Sequence, residues 1–262
     1  MHTLALAVTA VALVTTQAVA LTGREVLTQA EQQHGFSTWK DRKARAAMDT
    51  YDKGSMVRTR EMEITEQTDP RGEHRTFISF TAPADVKGTR FLHLSPRGER
   101  DQQWLWAPTT RRTRRIAEGQ RDENFFGADL SYRDLELMVR IQQWNDDEAT
   151  ATLAGEETVD GKVCHVVELV PKNEEFAYTK YRLWFGTDDL YLWRMDVYED
   201  ADKVVKRVVP KRYQRFGSYD MAVESEVSNL PADTRTVFKI TDVKYDEGVS
   251  ESMFTVGNLD RG

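Results

Sequence analysis

Apolar and polar residues alternate with a period of two along most of the chain after residue 44, a pattern typical of antiparallel strands with one buried face. In the segment MVRTREMEIT, Met56, Met62 and Ile64 share one parity with Arg58 and Arg60, whereas the intervening Thr and Glu residues take the other parity. The pattern therefore predicts a half-exposed strand over this segment.

Turn signals divide the chain into further strands. Asp69-Pro70-Arg71-Gly72 and Asp160-Gly161 each predict a turn between two strands. The apolar parity of the last strand slips between Ile240 and Val243, which predicts a β-bulge. Strand segments separated by such turns predict a meander of about nine to eleven long antiparallel strands.

Two segments carry helix signals. Thr22 and Glu25 match a capping box and predict a helix from about Gly23 to His34, ended by Gly35. Ser131 and Asp134 likewise predict a short helix that carries Leu135, Met138 and Val139. The chain is predicted to be mainly β (α+β), with two or three helices and no linker that would divide it.

The first twenty residues have the character of a secretory signal peptide. They are largely apolar and end in Ala18-Val19-Ala20, so cleavage is predicted after Ala20, although no Lys or Arg precedes Arg24. A membrane anchor is the alternative, but Thr and Gln residues interrupt the run. Residues 21–262 are then predicted to form one domain in the periplasm. No cysteine follows the run that could be acylated, since Cys164 is the only one and lies in an apolar strand.

Charged residues make up 30% of the chain and the net charge is −7, which argues against nucleic-acid binding. One basic cluster stands apart, and we take it as a candidate docking surface: Arg111, Arg112, Arg114 and Arg115. A solvated strand end is the alternative, because in a strand Arg112 and Arg114 would face away from Arg111 and Arg115.

No motif with catalytic or metal-binding spacing is found in the sequence. His34, His74, His93 and His165 are far apart in sequence, and there is no GxSxG, P-loop or GxGxxG segment. Paired carboxylates lie in predicted turns, where solvation explains them better than acid–base catalysis; they are Asp146-Asp147, Glu156-Glu157, Glu174-Glu175 and Asp188-Asp189. We expect a protein that is not an enzyme and has neither a metal nor a cofactor.

Large apolar side chains are frequent in the strands and in the second helix. A sheet of long strands with few helices leaves much apolar surface uncovered, which favours a lipid-sized cavity. Core packing is the alternative reading for each residue. The candidates for a cavity wall are Phe77, Phe91, Trp104, Trp106, Phe125, Phe126, Leu135, Met138, Trp184, Trp193 and Met195.

Three segments together resemble a known family. The run RTFISFTAPADVKGTRFL, residues 75–92, is followed by WLWAP with the arginine cluster, and then by FFGADLSYRDL. Their order and spacing resemble the outer-membrane lipoprotein-sorting protein family, relatives of the periplasmic lipoprotein carrier LolA. The segment ITDVKYDEGV near the end is also similar. One departure is Ala128, where family members often have Ser.

The resemblance implies a half-open, strongly curved antiparallel β-barrel with helices as a lid over an apolar cavity. It further implies a monomer that carries acyl chains of lipoproteins or other lipids and works with an inner-membrane exporter of the resistance-nodulation-division or MMPL type. Glycines Gly119 and Gly127 precede the second helix and would permit its movement. Two other functions stay open, namely a lipid- or stress-sensing regulatory module and an accessory exporter subunit that carries nothing.

Overall fold

The computed structural model describes residues 21–141, 143–172, 178–200 and 202–261. The predicted signal peptide and the Glu174-Glu175 pair lie outside these residues. Three α-helices occur in the described chain: α1 (Gly23–His34), α2 (Tyr132–Arg140) and α3 (Val256–Leu259). None of the described helices is long and apolar enough to cross a membrane.

In the described part of the chain, thirteen strands form one antiparallel, curved sheet that is not closed. Its order is β6-β5-β4-β3-β2-β1-β13-β12-β11-β10-β9-β8-β7, so pairing of β1 with β13 joins two meanders, while β6 and β7 are the edges. The strands are β1 (Asp41–Asp52), β2 (Ser55–Thr68), β3 (His74–Ala82), β4 (Arg90–Ser95), β5 (Gln102–Ala107), β6 (Arg112–Arg115), β7 (Ala149–Val159), β8 (Lys162–Pro171), β9 (Lys180–Gly186), β10 (Leu192–Tyr198), β11 (Val204–Phe216), β12 (Tyr219–Asn229) and β13 (Thr234–Tyr245).

The predicted number of strands was too low. Clear sequence signals were missing for β1, which is rich in Ala and charged residues, for β12, and for β6, whose four residues are RTRR. These strands carry few β-branched or aromatic residues, the types that usually mark a strand. Their pairing with neighbouring strands compensates for that weak local preference.

Helix α1 has the predicted bounds and capping box. The Thr22 hydroxyl accepts from the Glu25 amide at 3.2 Å, and the Glu25 carboxylate accepts from the Thr22 amide at 2.8 Å. The helix packs on β7 and β8 through Val26 and Leu27. A Cβ at Gly23 would lie 2.7 Å from the carbonyl carbon of Thr152, so only glycine lets the helix begin this close to β7.

The predicted turns and the bulge are confirmed. Both residues of the Asp160-Gly161 turn have positive φ, 46° and 80°, as a two-residue hairpin turn requires. In β13 the register against β1 shifts between Thr241 and Lys244, and Asp242 adopts a φ of 52°. The bulge lies where the sequence parity slipped.

The sheet has an inner face, on which α1 and α2 pack, and an outer face. Residues 246–261 cross the outer face of β3–β5, where Phe254 and Leu259 contact Phe77 and Leu92. The tail is held at its start by Asp41, whose carboxylate accepts from three successive amides, those of residues 247–249, at 2.9 to 3.2 Å. Both faces of β3–β5 are therefore covered.

Strands β1–β6 have two ends, each named here for a turn glycine. At the Gly54 end lie the β1–β2 turn and the loops 83–89 and 108–111. At the Gly72 end lie the β2–β3 turn and the loop 96–101. The connection from β6 to β7, residues 116–148, contains α2.

Candidate functional site

Two apolar clusters occupy the inner face. One lies on β7–β12 and includes residues of α1 and α2, and the other lies on β1–β5 and includes the segment 125–132. Leu135 of α2 and Phe238 of β13 pack against both clusters. The two clusters thus form one continuous apolar layer, and α2 covers the junction between them.

The segment before α2 is fixed by local polar contacts. Asp129 accepts hydrogen bonds from the hydroxyls of Thr234 and Thr236 in β13, the second at 2.7 Å. Ser131 caps α2 by accepting from the Asp134 amide at 3.1 Å, and the Asp134 carboxylate accepts from the Ser131 amide at 2.7 Å. The cap that the sequence predicted is confirmed, and it fixes the start of α2 close to β13.

Ion pairs hold α2 along its length, and three of them involve Asp134, Glu136 and Arg140. Asp134 pairs with Lys206 of β11 near the start of the helix. Glu136 pairs with Arg121 at 3.0 Å, and Arg140 at the end of the helix pairs with Asp101. These contacts are polar, so their charged groups can be hydrated when the helix moves away from the sheet.

The carboxylate of Glu136 ionises less readily than that of an ordinary glutamate. Burial raises the pKa of Glu136 to about 7, and the nearby charge of Asp101 adds to this effect despite the opposing charge of Arg121. The oxygen Oε1 of Glu136 has no hydrogen-bond partner. One contact of α2 therefore changes its charge near neutral pH.

The Gly72 end of the inner face contains two buried polar networks. Asp101 accepts from His93 at 2.7 Å and from Ser95 at 3.1 Å, and it also pairs with Arg140. Burial would raise the pKa of Asp101, but the hydrogen bond and charge of His93, with Arg140, hold the pKa below its ordinary value. The carboxylate is accordingly ionised and fully paired.

The second network surrounds Glu66. Its carboxylate accepts from Arg42 at 2.7 Å and lies 3.5 Å from the ring of His74, which contacts Thr68 at 3.0 Å. Burial opposes ionisation of Glu66, but Arg42 and His74 outweigh it and lower its pKa to about 2. The pKa of His74 lies below its ordinary value because of burial, despite Glu66. No group of His, Cys, Asp and Glu in the described chain is arranged to hold a metal ion.

Two cavities adjoin these elements, and charged residues line both. One of about 290 Å³ lies beside α2, and its lining includes Arg121, Arg133, Glu136, Arg140, Tyr178 and Tyr181. The other, of about 420 Å³, lies beneath the C-terminal tail, and its lining includes His74, Arg75, Glu251 and Phe254. Apolar side chains fill the inner face in this conformation, so an acyl chain would have to displace some of them.

The residues predicted to line a cavity lie at three different places in the structure. Five of them lie in or against the inner-face clusters: Phe91, Phe125, Phe126, Leu135 and Met195. Met138 lies on the solvent side of α2 and is 45% exposed. The remaining five lie on the outer face.

Phe77, Trp104 and Trp106 pack beneath the C-terminal tail, not beside Phe91. Neighbouring residues of a strand face opposite sides, so the predicted set could not share one face. The sequence reading missed this division because residues on both faces of β3–β5 are apolar. The ring of Trp106 lies 4.6 Å below the guanidinium of Arg90, which donates to the carbonyl of Leu259 at 2.6 Å.

Trp184 and Trp193 pack with Cys164 and Val166 on the outer face of the other half. Trp193 and Met195 have the same parity and were both candidates for the cavity wall, but Met195 lies on the inner face. The register of β10 shifts between Leu192 and Arg194, so a bulge changes the parity at Trp193.

The arginine cluster lies on the edge strand β6 and the turn before it. Arg111 has a φ of 51°, Arg114 donates to Gln120 at 3.0 Å, and Arg115 lies 5.7 Å from the ring of Trp104 on the outer face. Arg112 is exposed. Arg114 and Arg115 face opposite sides of the strand. The cluster therefore forms no single flat basic face, which agrees with the alternation noted in the sequence.

The sequence reading also missed polar residues of the inner face. Asp101 and Asp129 follow turns and were not distinguished from solvated carboxylates. Arg60 is buried on the inner face, and its only sequence signal was the parity that it shares with Met62. Long-range pairing brings each of these residues to the site, and a single sequence does not record such pairing.

Comparisons with known proteins agree with this architecture. A family model described as "Uncharacterized protein" matches residues 72–261. A crystal structure of a DUF1329 family protein from Desulfovibrio piger is similar, with 27% identity, a TM-score of 0.82, and coverage of 90% of this chain and 97% of that chain. No match to the chain was found among curated proteins.

Two further solved structures share the fold. A putative outer membrane lipoprotein-sorting protein domain from Vibrio parahaemolyticus is 22% identical, with a TM-score of 0.82 over 91% of this chain and 98% of that one. A LolA superfamily protein from Nitrosomonas europaea is 14% identical, with a TM-score of 0.70 over 91% of this chain and 100% of that one.

Proposed function

The chain belongs to the uncharacterized DUF1329 family, and on this premise we propose that it carries the acyl chains of lipoproteins or other lipids through the periplasm. The curved sheet is then a half-open barrel, and α2 is its lid. We further propose that residues 1–20 are a signal peptide cleaved after Ala20. The remaining domain acts as a monomer between an inner-membrane exporter of the resistance-nodulation-division or MMPL type and the outer membrane.

The observation that carries this proposal is the continuous apolar layer beneath α2. Residues of both inner clusters meet at Leu135, so displacement of one short helix would uncover the junction between them. An acyl chain moved from water to such a surface gains about 0.8 kcal/mol per CH₂. Exposure of this layer would thus provide an apolar surface that shields a chain during transit.

The polar contacts of α2 suit repeated opening. Its ion pairs with Lys206, Arg121 and Asp101 hold the closed state without adding apolar burial that would have to be lost on opening. Removal of α2 from the sheet would expose Leu135 and Leu137, and a bound acyl chain would replace their contacts. The closed, empty protein and the open, loaded protein then differ only modestly in free energy, as a carrier requires.

Mass spectrometry and probe binding test the proposal. The protein from Leu21 onward, purified gently from its own host, is expected to contain bound lipid and to bind a fluorescent fatty-acid probe. Leu135→Glu places a charge on the inner face and is expected to weaken probe binding at least about tenfold. Met138→Glu places the same charge on the exposed side of the same helix and serves as the matched control.

Circular dichroism of both variants is needed to show that each is folded. The proposal fails if the purified protein contains no lipid and the wild type does not bind the probe. Equal loss of binding in the two variants would show that α2 acts through its stability and not through its inner side.

A further inference from the structure

Arg60 differs from the other buried arginines of the described chain. Its side chain lies on the inner face of β2 and the residue is only 8% exposed. Arg90 donates to the carbonyl of Leu259, and Arg121 pairs with Glu136. Within the described residues, by contrast, Arg60 has no ion pair within 4.0 Å, and its Nε, like that of Arg121, has no hydrogen-bond partner.

The nearest described charges do not compensate Arg60. Asp85 acts on it only at a distance, because the Asp85 carboxylate is held by Arg58 at 3.1 Å. Burial, followed by the like charge of Arg58, lowers the pKa of Arg60. The Nε of Arg60 is buried without a partner, which is costly, and a ligand carboxylate or phosphate would offset that cost with two parallel hydrogen bonds to the guanidinium.

The guanidinium is approachable from solvent through Gly127. This glycine is exposed, has a φ of 75°, and follows Phe126, whose ring lies 4.3 Å from that of Phe80. A Cβ at Gly127 would lie 3.9 Å from Nη1 and 4.0 Å from Nη2 of Arg60. Any side chain here would stand over the guanidinium, whereas glycine leaves both nitrogens accessible.

Apolar residues adjoin the guanidinium on the other side. Met48 is the partner of Arg60 across the β1–β2 ladder, and Met62 follows two residues later on the same face. Both belong to the inner-face cluster of β1–β5. A positive charge therefore stands at the border of the apolar layer, which is the arrangement that an amphiphile with an anionic end requires.

We propose that Arg60 binds the anionic group, a carboxylate or a phosphate, of an amphiphile whose acyl chain lies along Met48 and Met62. This inference rests on the proposed function and names its ligand class. A neutral lipid would leave Arg60 unpaired, so the site selects lipids by their charge as well as by their apolar part.

Competition binding with chain-matched ligands tests the proposal. Dissociation constants of oleate, oleyl phosphate and oleyl alcohol are measured by displacement of a neutral fluorescent probe. The wild type is expected to bind both anions about tenfold more tightly than the alcohol, as one charge-assisted pair implies. Arg60→Gln should lose this preference and bind the alcohol with unchanged affinity, and Arg60→Lys should keep part of it.

Arg58→Gln is the matched control, because Arg58 lies two residues away on β2 but is exposed and paired with Asp85. It should alter each dissociation constant less than about twofold. Circular dichroism and thermal unfolding are used to establish that each variant is folded.

Four outcomes would overturn the proposal. Equal affinity of the wild type for oleate and oleyl alcohol, or a preference retained in Arg60→Gln, would overturn this inference and leave lipid carriage intact. Binding of inorganic phosphate without any preference among the oleyl ligands would identify a free-anion site instead. Absence of binding by all oleyl ligands would overturn the proposed function together with this inference.

Discussion

The inner face between β1 and β6 has paired buried charges at one end and a buried charge without an ion-pair partner toward the other. At the Gly72 end, Glu66 and Asp101 are each paired with an arginine and a histidine. Toward the Gly54 end, Arg60 is equally buried but has no such partner among the described residues. Paired charges stabilise the closed protein, whereas an unpaired charge lowers stability and leaves a site for a ligand.

The surfaces around the two ends also differ, because one exposes apolar side chains and the other is closed by hydrogen bonds. The β1–β2 hairpin at the Gly54 end exposes Met56 and Val57, which are 62% and 64% exposed. The Gly72 end is closed by Arg140, which donates to the carbonyls of Pro96 and Glu99 at 2.9 and 2.8 Å. Under the proposed function, the difference favours ligand entry near the Gly54 end, while the Gly72 end holds α2 through Arg140.

The largest effect is expected from Asp101→Ala at the Gly72 end. The substitution leaves His93 and Arg140 without their shared carboxylate in a buried site, and breaking such a pair costs about 3–5 kcal/mol. The free energy of unfolding, measured with urea at pH 7, should fall by this amount. Lipid affinity per folded molecule should fall less than in Arg60→Gln.

Asp146→Ala is the control for this prediction. Asp146 pairs with Arg24 at 2.9 Å, but its side chain is 82% exposed, so its removal should cost less than about 1 kcal/mol. A loss of similar size in both variants would remove the distinction between the paired network and an ordinary surface ion pair.

A smaller effect concerns the pH dependence of α2. The pKa of Glu136 is about 7 in the folded protein, above its ordinary value of 4.5, so the folded state binds more protons between these values. The free energy of unfolding should therefore fall as pH rises from about 5 to 7. Glu136→Gln should be more stable than the wild type at pH 8, by about 2 kcal/mol, and should lose most of this advantage at pH 5.

Glu118→Gln is a suitable comparison, because Glu118 is more exposed and pairs with the same arginine, Arg121. Its stability difference from the wild type should be small at both pH values. If Glu136→Gln is less stable than the wild type at pH 8, the ion pair with Arg121 outweighs the cost of burying the charge. Ionisation of Glu136 would then not weaken the attachment of α2 at neutral pH.

Local signals made part of this fold predictable from sequence. The capping boxes at Thr22 and Ser131 fixed both helix starts, and the Asp160-Gly161 turn fixed a hairpin, because each depends on adjacent residues. The pairing of β1 with β13 joins residues nearly two hundred positions apart. No local pattern encodes it, although the resemblance to the lipoprotein-sorting family implied the architecture as a whole.

The candidate site was less predictable for a related reason. Parity assigns a residue to one of two faces, but it does not say which face the helices cover. Trp104 and Phe91 are both apolar, yet the C-terminal tail covers one and the segment before α2 contacts the other. Arg60 was not predicted as a site residue because an arginine on a strand is ordinarily solvated. Its burial and its lack of an ion-pair partner are seen only in the three-dimensional structure.

The smallest effect, and the one that most directly tests the contrast between the ends, is expected from Arg60→Met. Methionine has similar length, adjoins Met48 and Met62, and removes an uncompensated charge from an apolar border. The ligand-free protein should gain about 1 kcal/mol in the free energy of unfolding, whereas Arg58→Met should change it by less than about 0.5 kcal/mol. Lipid-stripped protein must be used, because a bound anion would reverse the sign. A gain in stability combined with weaker oleate binding indicates a residue retained for its ligand at a cost in stability. A loss of stability in the stripped protein would instead mean that Arg60 is compensated within the fold, and the two ends would then be alike.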